Sequence, residues 1–294
     1  MVTNRILRAA MLLAAFAVAL PALAQPADGD AVARGEYVFH AAGCESCHTD
    51  RKGGGASLAG GRALETPFGT FYAPNITPHP EYGIGRWTVE DLIAALHRGV
   101  SPGGAHFFPA FPYPSYTQMS EADIRDLWAW LQTVEPADTP NRAHDVPPPF
   151  GWRFLAGGWK WMFFEPGRFE PDPGKSAQWN RGAYLVRALA HCGECHTPRN
   201  FLGGRKDDYH LAGNPHGAGN EPVPNITPHD SGIAGWSEDD IATYLDFGMT
   251  PDGDFAGGAM AEVIEHGTGN LSDDDRAAIA AYLKDIPALP SRSE

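Results

Sequence analysis

All four cysteines of this 294-residue chain fall in two pairs, Cys44-Glu45-Ser46-Cys47 and Cys192-Gly193-Glu194-Cys195, and each pair is followed at once by a histidine, His48 and His196. The pattern is the attachment signature of a c-type haem. Two thiols on one helical turn can add across the two vinyl groups of a single porphyrin, and the adjacent imidazole then reaches the iron. A zinc ribbon would place its thiol pairs about 15 to 20 residues apart, whereas these pairs lie in opposite halves of the chain. Two disulfides would leave both histidines incidental. The spacing therefore predicts two covalently bound haem c groups, held by Cys44, Cys47, Cys192 and Cys195, with His48 and His196 as iron ligands.

The halves repeat one another beyond the cysteines. Arg34-Gly35-Glu36-Tyr37 recurs as Arg181-Gly182-Ala183-Tyr184, and Asn75-Ile76-Thr77-Pro78-His79 as Asn225-Ile226-Thr227-Pro228-His229. Gly83-Ile84-Gly85-Arg86-Trp87 recurs as Gly232-Ile233-Ala234-Gly235-Trp236. Such self-similarity reads as a tandem duplication. Thr88-x-x-Asp91, Ser120-x-x-Asp123, Ser237-x-x-Asp240 and Ser272-x-x-Asp275 each precede apolar residues at a period near 3.6, the mark of a capped amphipathic helix. Further helices are expected at about 30–43 and 179–191, and no hairpin signal intervenes. The expected fold is all-α, with a first domain over 25–136, a linker over 137–178 and a second domain over 179–294. The linker is rich in proline and large rings, among them Trp152, Trp159, Trp161, Phe163 and Phe164. So many rings in water would be costly, which predicts a segment draped across both domains or a docking surface for a partner subunit.

Arg5 and Arg8 ahead of the apolar run 9–20, closed by Ala22-Leu23-Ala24, read as a secretory signal peptide over 1–24. Its apolar core is short for a membrane span, so the mature chain is expected in the periplasm without a strong membrane segment. The net charge of −14 repels phosphate backbones and excludes nucleic acid as a natural partner.

A low-spin carrier needs a second axial ligand, and methionine is the usual choice. Met260, in the glycine-containing loop Gly257-Gly258-Ala259-Met260-Ala261, is assigned to the second haem, while Met249 and Met162 read as packing residues. In the first half Phe111 stands where a ligand is expected, and phenylalanine cannot bind iron. Met119 is the leading candidate there, His106 is a rival, and an open or water-ligated iron is the third reading. His79 and His229 read as loop-fixing residues.

On these motifs, together with Pro109-Ala110-Phe111-Pro112-Tyr113 and His196-Thr197-Pro198-Arg199-Asn200, the chain resembles dihaem cytochromes built from two class I cytochrome c domains. More narrowly, it resembles the cytochrome subunits of periplasmic alcohol, gluconate and aldehyde dehydrogenases. The resemblance implies an electron-transfer protein, not an enzyme, which relays electrons from a dehydrogenase to the respiratory chain or another acceptor. It carries thioether roles to the four cysteines, proximal ligation to His48 and His196, and distal ligation to Met260. A dihaem peroxidase with one open site is the alternative from a different class.

Overall fold

The computed structural model describes residues 29–217 and 221–291; the signal segment expected at 1–24 lies outside them. The first half contains α1 (Gly29–Ala41), α2 (Cys44–His48), the strands β1 (Ala63–Thr66) and β2 (Gly69–Tyr72), α3 (Val89–Arg98), α4 (Tyr113–Tyr116) and α5 (Glu121–Leu131). Then come α6 (Arg153–Phe163), α7 (Ala177–Tyr184), α8 (Gly193–His196), α9 (Glu238–Phe247), α10 (Gly258–His266) and α11 (Asp273–Asp285). The chain is mostly helical, but the antiparallel β1–β2 hairpin departs from the all-α expectation. Its four-residue strands, separated by Pro67 and Phe68, are too short to carry a period-2 signal. Among the described residues no helix is long and apolar enough to cross a membrane.

The repeated Arg-Gly-x-Tyr segment builds both helix crossings. α1 packs on α5 so closely that a Cβ on Gly35 would stand 2.0 Å from the Asp126 carbonyl oxygen, and one on Gly182 would stand 1.9 Å from that of Ala278, where α7 meets α11. Only glycine permits this approach. The arginine beside each glycine pairs with the helix it crosses, Arg34 with Asp126 at 2.6 Å and Arg181 with Asp275 at 2.6 Å.

The tyrosine reaches the other half of the molecule. Thr88 and Ser237 cap α3 and α9 in complete capping boxes, with Asp91 and Asp240 returning to the cap amides. Ser120 and Ser272 also cap their helices, yet here a tyrosine hydroxyl occupies the return position. Ser120 N–H donates to Tyr184 Oη at 3.0 Å while that hydroxyl donates to Asp123. Reciprocally, Ser272 N–H donates to Tyr37 Oη at 3.1 Å, and the Tyr37 hydroxyl donates to Asp275 at 2.6 Å. One continuous core of buried residues joins the halves, running from Phe39 and Ile124 to Leu189 and Ile279.

Helix α6 is tied to both halves. The Lys160 ammonium is buried and donates to the carbonyls of Arg98 and Gly99 at 2.6 and 2.5 Å, where the C-terminal end of α3 favours a cation. Burial lowers the Lys160 pKa to about 8. On the opposite side the Trp159 indole donates to Leu202 O at 2.9 Å. The outer face remains in solvent: Phe154 is 68% exposed and Trp161 88%, beside Phe201 at 88%. Helix α6 thus bonds to residues of both halves and leaves an apolar face exposed.

Asp275 is buried, which pushes its carboxyl pKa up, but hydrogen bonds from Arg181 and Tyr37 outweigh that and hold it below the ordinary value. A depressed native pKa contributes stability that is fully present above the unfolded carboxylate value and is lost as pH falls through the native one. Tyr37→Phe and Tyr184→Phe should each lower unfolding free energy by about 1–3 kcal/mol at neutral pH, the range for bonds to charged groups. The Tyr37→Phe loss should shrink on acidification. Denaturant titrations at neutral and acidic pH check this, and an unchanged midpoint at neutral pH would contradict the bracing role.

Candidate haem sites

Each attachment segment is a single helical turn, which aims both thiols and the following imidazole along one side of the backbone. Gly43 opens the first turn in the left-handed conformation, φ 61°. The four thiols are unpaired, Cys44, Cys47 and Cys192 half-buried and Cys195 exposed. Desolvation raises the Cys44 and Cys192 pKa values to about 12 and that of Cys47 to about 11, so these groups are neutral thiols at physiological pH.

The histidines are oriented by a contact that motif reading alone did not reveal. His48 Nδ1 lies 2.7 Å from Pro74 O, and His196 Nδ1 lies 2.8 Å from Pro224 O. A carbonyl only accepts, so Nδ1 carries the proton and Nε2 keeps its lone pair for a metal. Each carbonyl precedes the repeated Asn-Ile-Thr-Pro. The buried Asn75 and Asn225 side chains accept from the backbone N–H and hydroxyl of Thr77 and Thr227, and donate to the distant carbonyls of Ala137 and Leu289. These residues form the outer support of the imidazole. The legible signal was the proline before each repeated asparagine, Pro74 and Pro224. His79 and His229 fix their loops, accepting at Nδ1 from Tyr82 N–H and Ser231 N–H at 3.1 Å each.

Contacts from each half reach the attachment turn of the other. Tyr116 donates to Ala42 O at 2.7 Å, two residues before Cys44, and its ring packs edge-on against His191 at 5.3 Å, one residue before Cys192. Ser115 donates to Glu194 at 2.6 Å, a carboxylate also paired with Arg199 and Arg205. Arg62 pairs with Glu262 of the Met260 helix, and both charges, with Cys195, act electrostatically on Cys47.

The methionines separate clearly. Met260 is half-buried in the first turn of α10, not in a loop. Met119 is 0% exposed within the core, immediately before the Ser120 cap, as Leu271 at 4% is before Ser272. Met249 and Met162 lie at the surface instead of packing, at a hairpin-like loop and on the outer face of α6. His106 is committed to α6: its Nδ1 lies 3.1 Å from Lys160 Nζ and its carbonyl accepts from Arg153.

The residues present fit haem c. Free thiols stand in pairs on single turns, each pair is followed by an imidazole with Nε2 unencumbered, and among the described residues no group of three or more His, Cys, Asp or Glu gathers as a bare metal ion would require. Fold and site together define a c-type cytochrome. The cytochrome c family profile matches residues 32–135. A protein of Cereibacter sphaeroides described as diheme cytochrome c-type is 48% identical over 87% of this chain and 86% of its own length. The fructose dehydrogenase cytochrome subunit of Gluconobacter japonicus is 42% identical over 87% of this chain. The cytochrome c subunit of a Gluconobacter oxydans quinone alcohol dehydrogenase is 42% identical over 91%. This chain spans 53% and 57% of the lengths of those two subunits. It belongs to the cytochrome c family, in the dihaem group, and carries covalently bound haem c.

Replacing both Cys192 and Cys195 with alanine should halve the haem retained after denaturation in protein matured in a cytochrome-competent host. Haem-stained gels and intact mass check this; two haems retained would contradict the assignment.

Proposed function

We propose that this chain is a periplasmic electron-transfer subunit that accepts electrons from a dehydrogenase and passes them to the respiratory chain or another acceptor. The observation that carries the reading is the pair of imidazoles with Nδ1 held by proline carbonyls, each beside two free thiols. Haem c supplies reversible one-electron chemistry when bound. The chain's own contribution is placement. Cys44 and Cys47 hold the first group and Cys192 and Cys195 the second. His48 and His196 would hold the irons through Nε2, and Met260 is the thioether that would serve as the second ligand of the second group. The repeats act as two tandem domains, 25–136 and 179–294, with 137–178 as the linker between them. A methionine and histidine pair raises the potential and limits rearrangement on electron transfer, which suits a carrier more than a peroxide-consuming enzyme.

The interlocked attachment turns place the two groups in one body, so that electrons entering at either can leave at the other. The outer face of α6 exposes Trp152, Phe154 and Trp161, and such an apolar face fits a dehydrogenase subunit. Relatives similar to this chain over most of its length are named as subunits of such enzymes, and these rings are exposed among the described residues. The acidic balance favours basic partner surfaces and makes association sensitive to salt.

Stopped-flow mixing of the oxidised holoprotein with substrate-reduced catalytic subunits of alcohol, fructose and gluconate dehydrogenases tests the reading. At least one should reduce the haems. Trp161→Ala with Phe154→Ala should weaken that complex about tenfold or more, as loss of buried aromatic anchors does. Reduction by none of them, or peroxide turnover by the holoprotein itself, would contradict the proposal.

A further inference from the structure

The backbone bonds of the two halves correspond residue for residue through the loop after α3 and α9, and this register pairs the candidate distal residues of the two halves. Gly99 and Gly248 end the helices in the left-handed conformation. Val100 bridges His106 as Met249 bridges Phe255. Ser101 N–H donates to Ala105 O as Thr250 N–H does to Asp254 O, and Phe107 N–H to Gly99 O as Ala256 N–H does to Gly248 O. Counting on from Phe107 and Ala256 without a gap brings Phe111 to the position of Met260. Both are half-buried. The registers part only afterwards, where the second half has the longer helix before its cap.

Met119 belongs to a different position. It corresponds to Leu271, directly ahead of the cap serine, and its side chain has no face open to anything but protein. Its carbonyl accepts from His97 Nε2 at 3.0 Å, which fixes the backbone at the core side of α3. His106 is held by Lys160, as described above. The first half therefore offers neither of the side chains expected from sequence. Phe111 packs edge-on against Phe107 at 5.6 Å between ring centroids and lies 5.8 Å from Tyr116, whose hydroxyl is spent on Ala42 O.

We propose that the first haem receives one axial ligand from this chain, His48, and keeps an exchangeable sixth position walled by Phe111, Phe107 and Tyr116, whereas Met260 closes the second. This rests on the ligand roles given above for His48, His196 and Met260. A site lined by aromatic carbon takes small uncharged diatomic molecules and excludes anions and larger ligands, because no side chain in that wall offers a cation or a free donor. The asymmetry also separates the potentials of the two centres, since a thioether opposite histidine favours the reduced state.

The test uses the full-length holoprotein. The ferrous protein titrated with carbon monoxide should bind one molecule per chain. In the ferric state resonance Raman and EPR should show one low-spin centre with the long-wavelength thioether absorption and one centre without it. Phe111→Met should abolish carbon monoxide binding and add a second thioether absorption, and Met260→Phe should instead raise binding to two molecules per chain. Two thioether absorptions in the unaltered protein, no carbon monoxide binding, or loss of one low-spin signal in Met119→Leu would overturn the proposal. The unaltered protein alone decides the matter if a variant fails to fold. A preparation that held no haem would instead refute the attachment roles on which the proposal rests.

Discussion

A tyrosine hydroxyl inserted into a helix cap, once in each direction, is the contact on which the arrangement of this molecule depends. In an ordinary capping box the carboxylate three residues into the helix returns to the cap amide. At Ser120 and Ser272 that amide donates to a tyrosine from the other half, and the tyrosine hydroxyl in turn donates a hydrogen bond to the carboxylate. Two orphan groups are satisfied in each case while one half is bound to the other. A buried polar cluster of this kind is costly unless every member is paired, so it tolerates only one relative placement of the halves. With α6 fastened to both sides through Lys160 and Trp159, the attachment turns are held as neighbours.

The second constraint is local. A proline carbonyl holds each proximal imidazole by Nδ1, and a buried asparagine and threonine hold the loop that carries the carbonyl. An imidazole fixed in this way keeps its tautomer and orientation through a change of charge on its other nitrogen. The chain supplies this support twice with nearly equal geometry. It differs where Met260 and Phe111 occupy the same register, with a thioether side chain in one half and an aromatic ring in the other.

Much of this was legible from residue order because the chemistry demands fixed spacing. The Cys-x-x-Cys-His turns, the Ser and Thr side-chain caps and the Asn-to-Thr bonds of the repeated segment rest on contacts within a few residues of one another. The rest was set by contacts across the chain. The Arg-Gly-x-Tyr repeat was visible, but the glycine's role depends on a helix some ninety residues away and the tyrosine's on the opposite half. Met119 looked like a ligand on type and distance from the last helix; its burial beside the cap follows from packing that sequence order does not express. The β1–β2 hairpin escaped because its strands are too short to alternate, and Met260 was read as a loop residue because Gly257 and Gly258 precede it, though they open a helix.

The reciprocal tyrosine braces are expected to hold the two haems of this chain close enough to act as a single electron-transfer unit. EPR of the holoprotein during a stepwise reductive titration tests it most directly. Neighbouring ferric centres should broaden and speed the relaxation of each other's signals, and that mutual effect should vanish once one of the two is reduced. Two signals that simply add, each unchanged in shape and relaxation when the other disappears, would show that the centres stand apart and would contradict it.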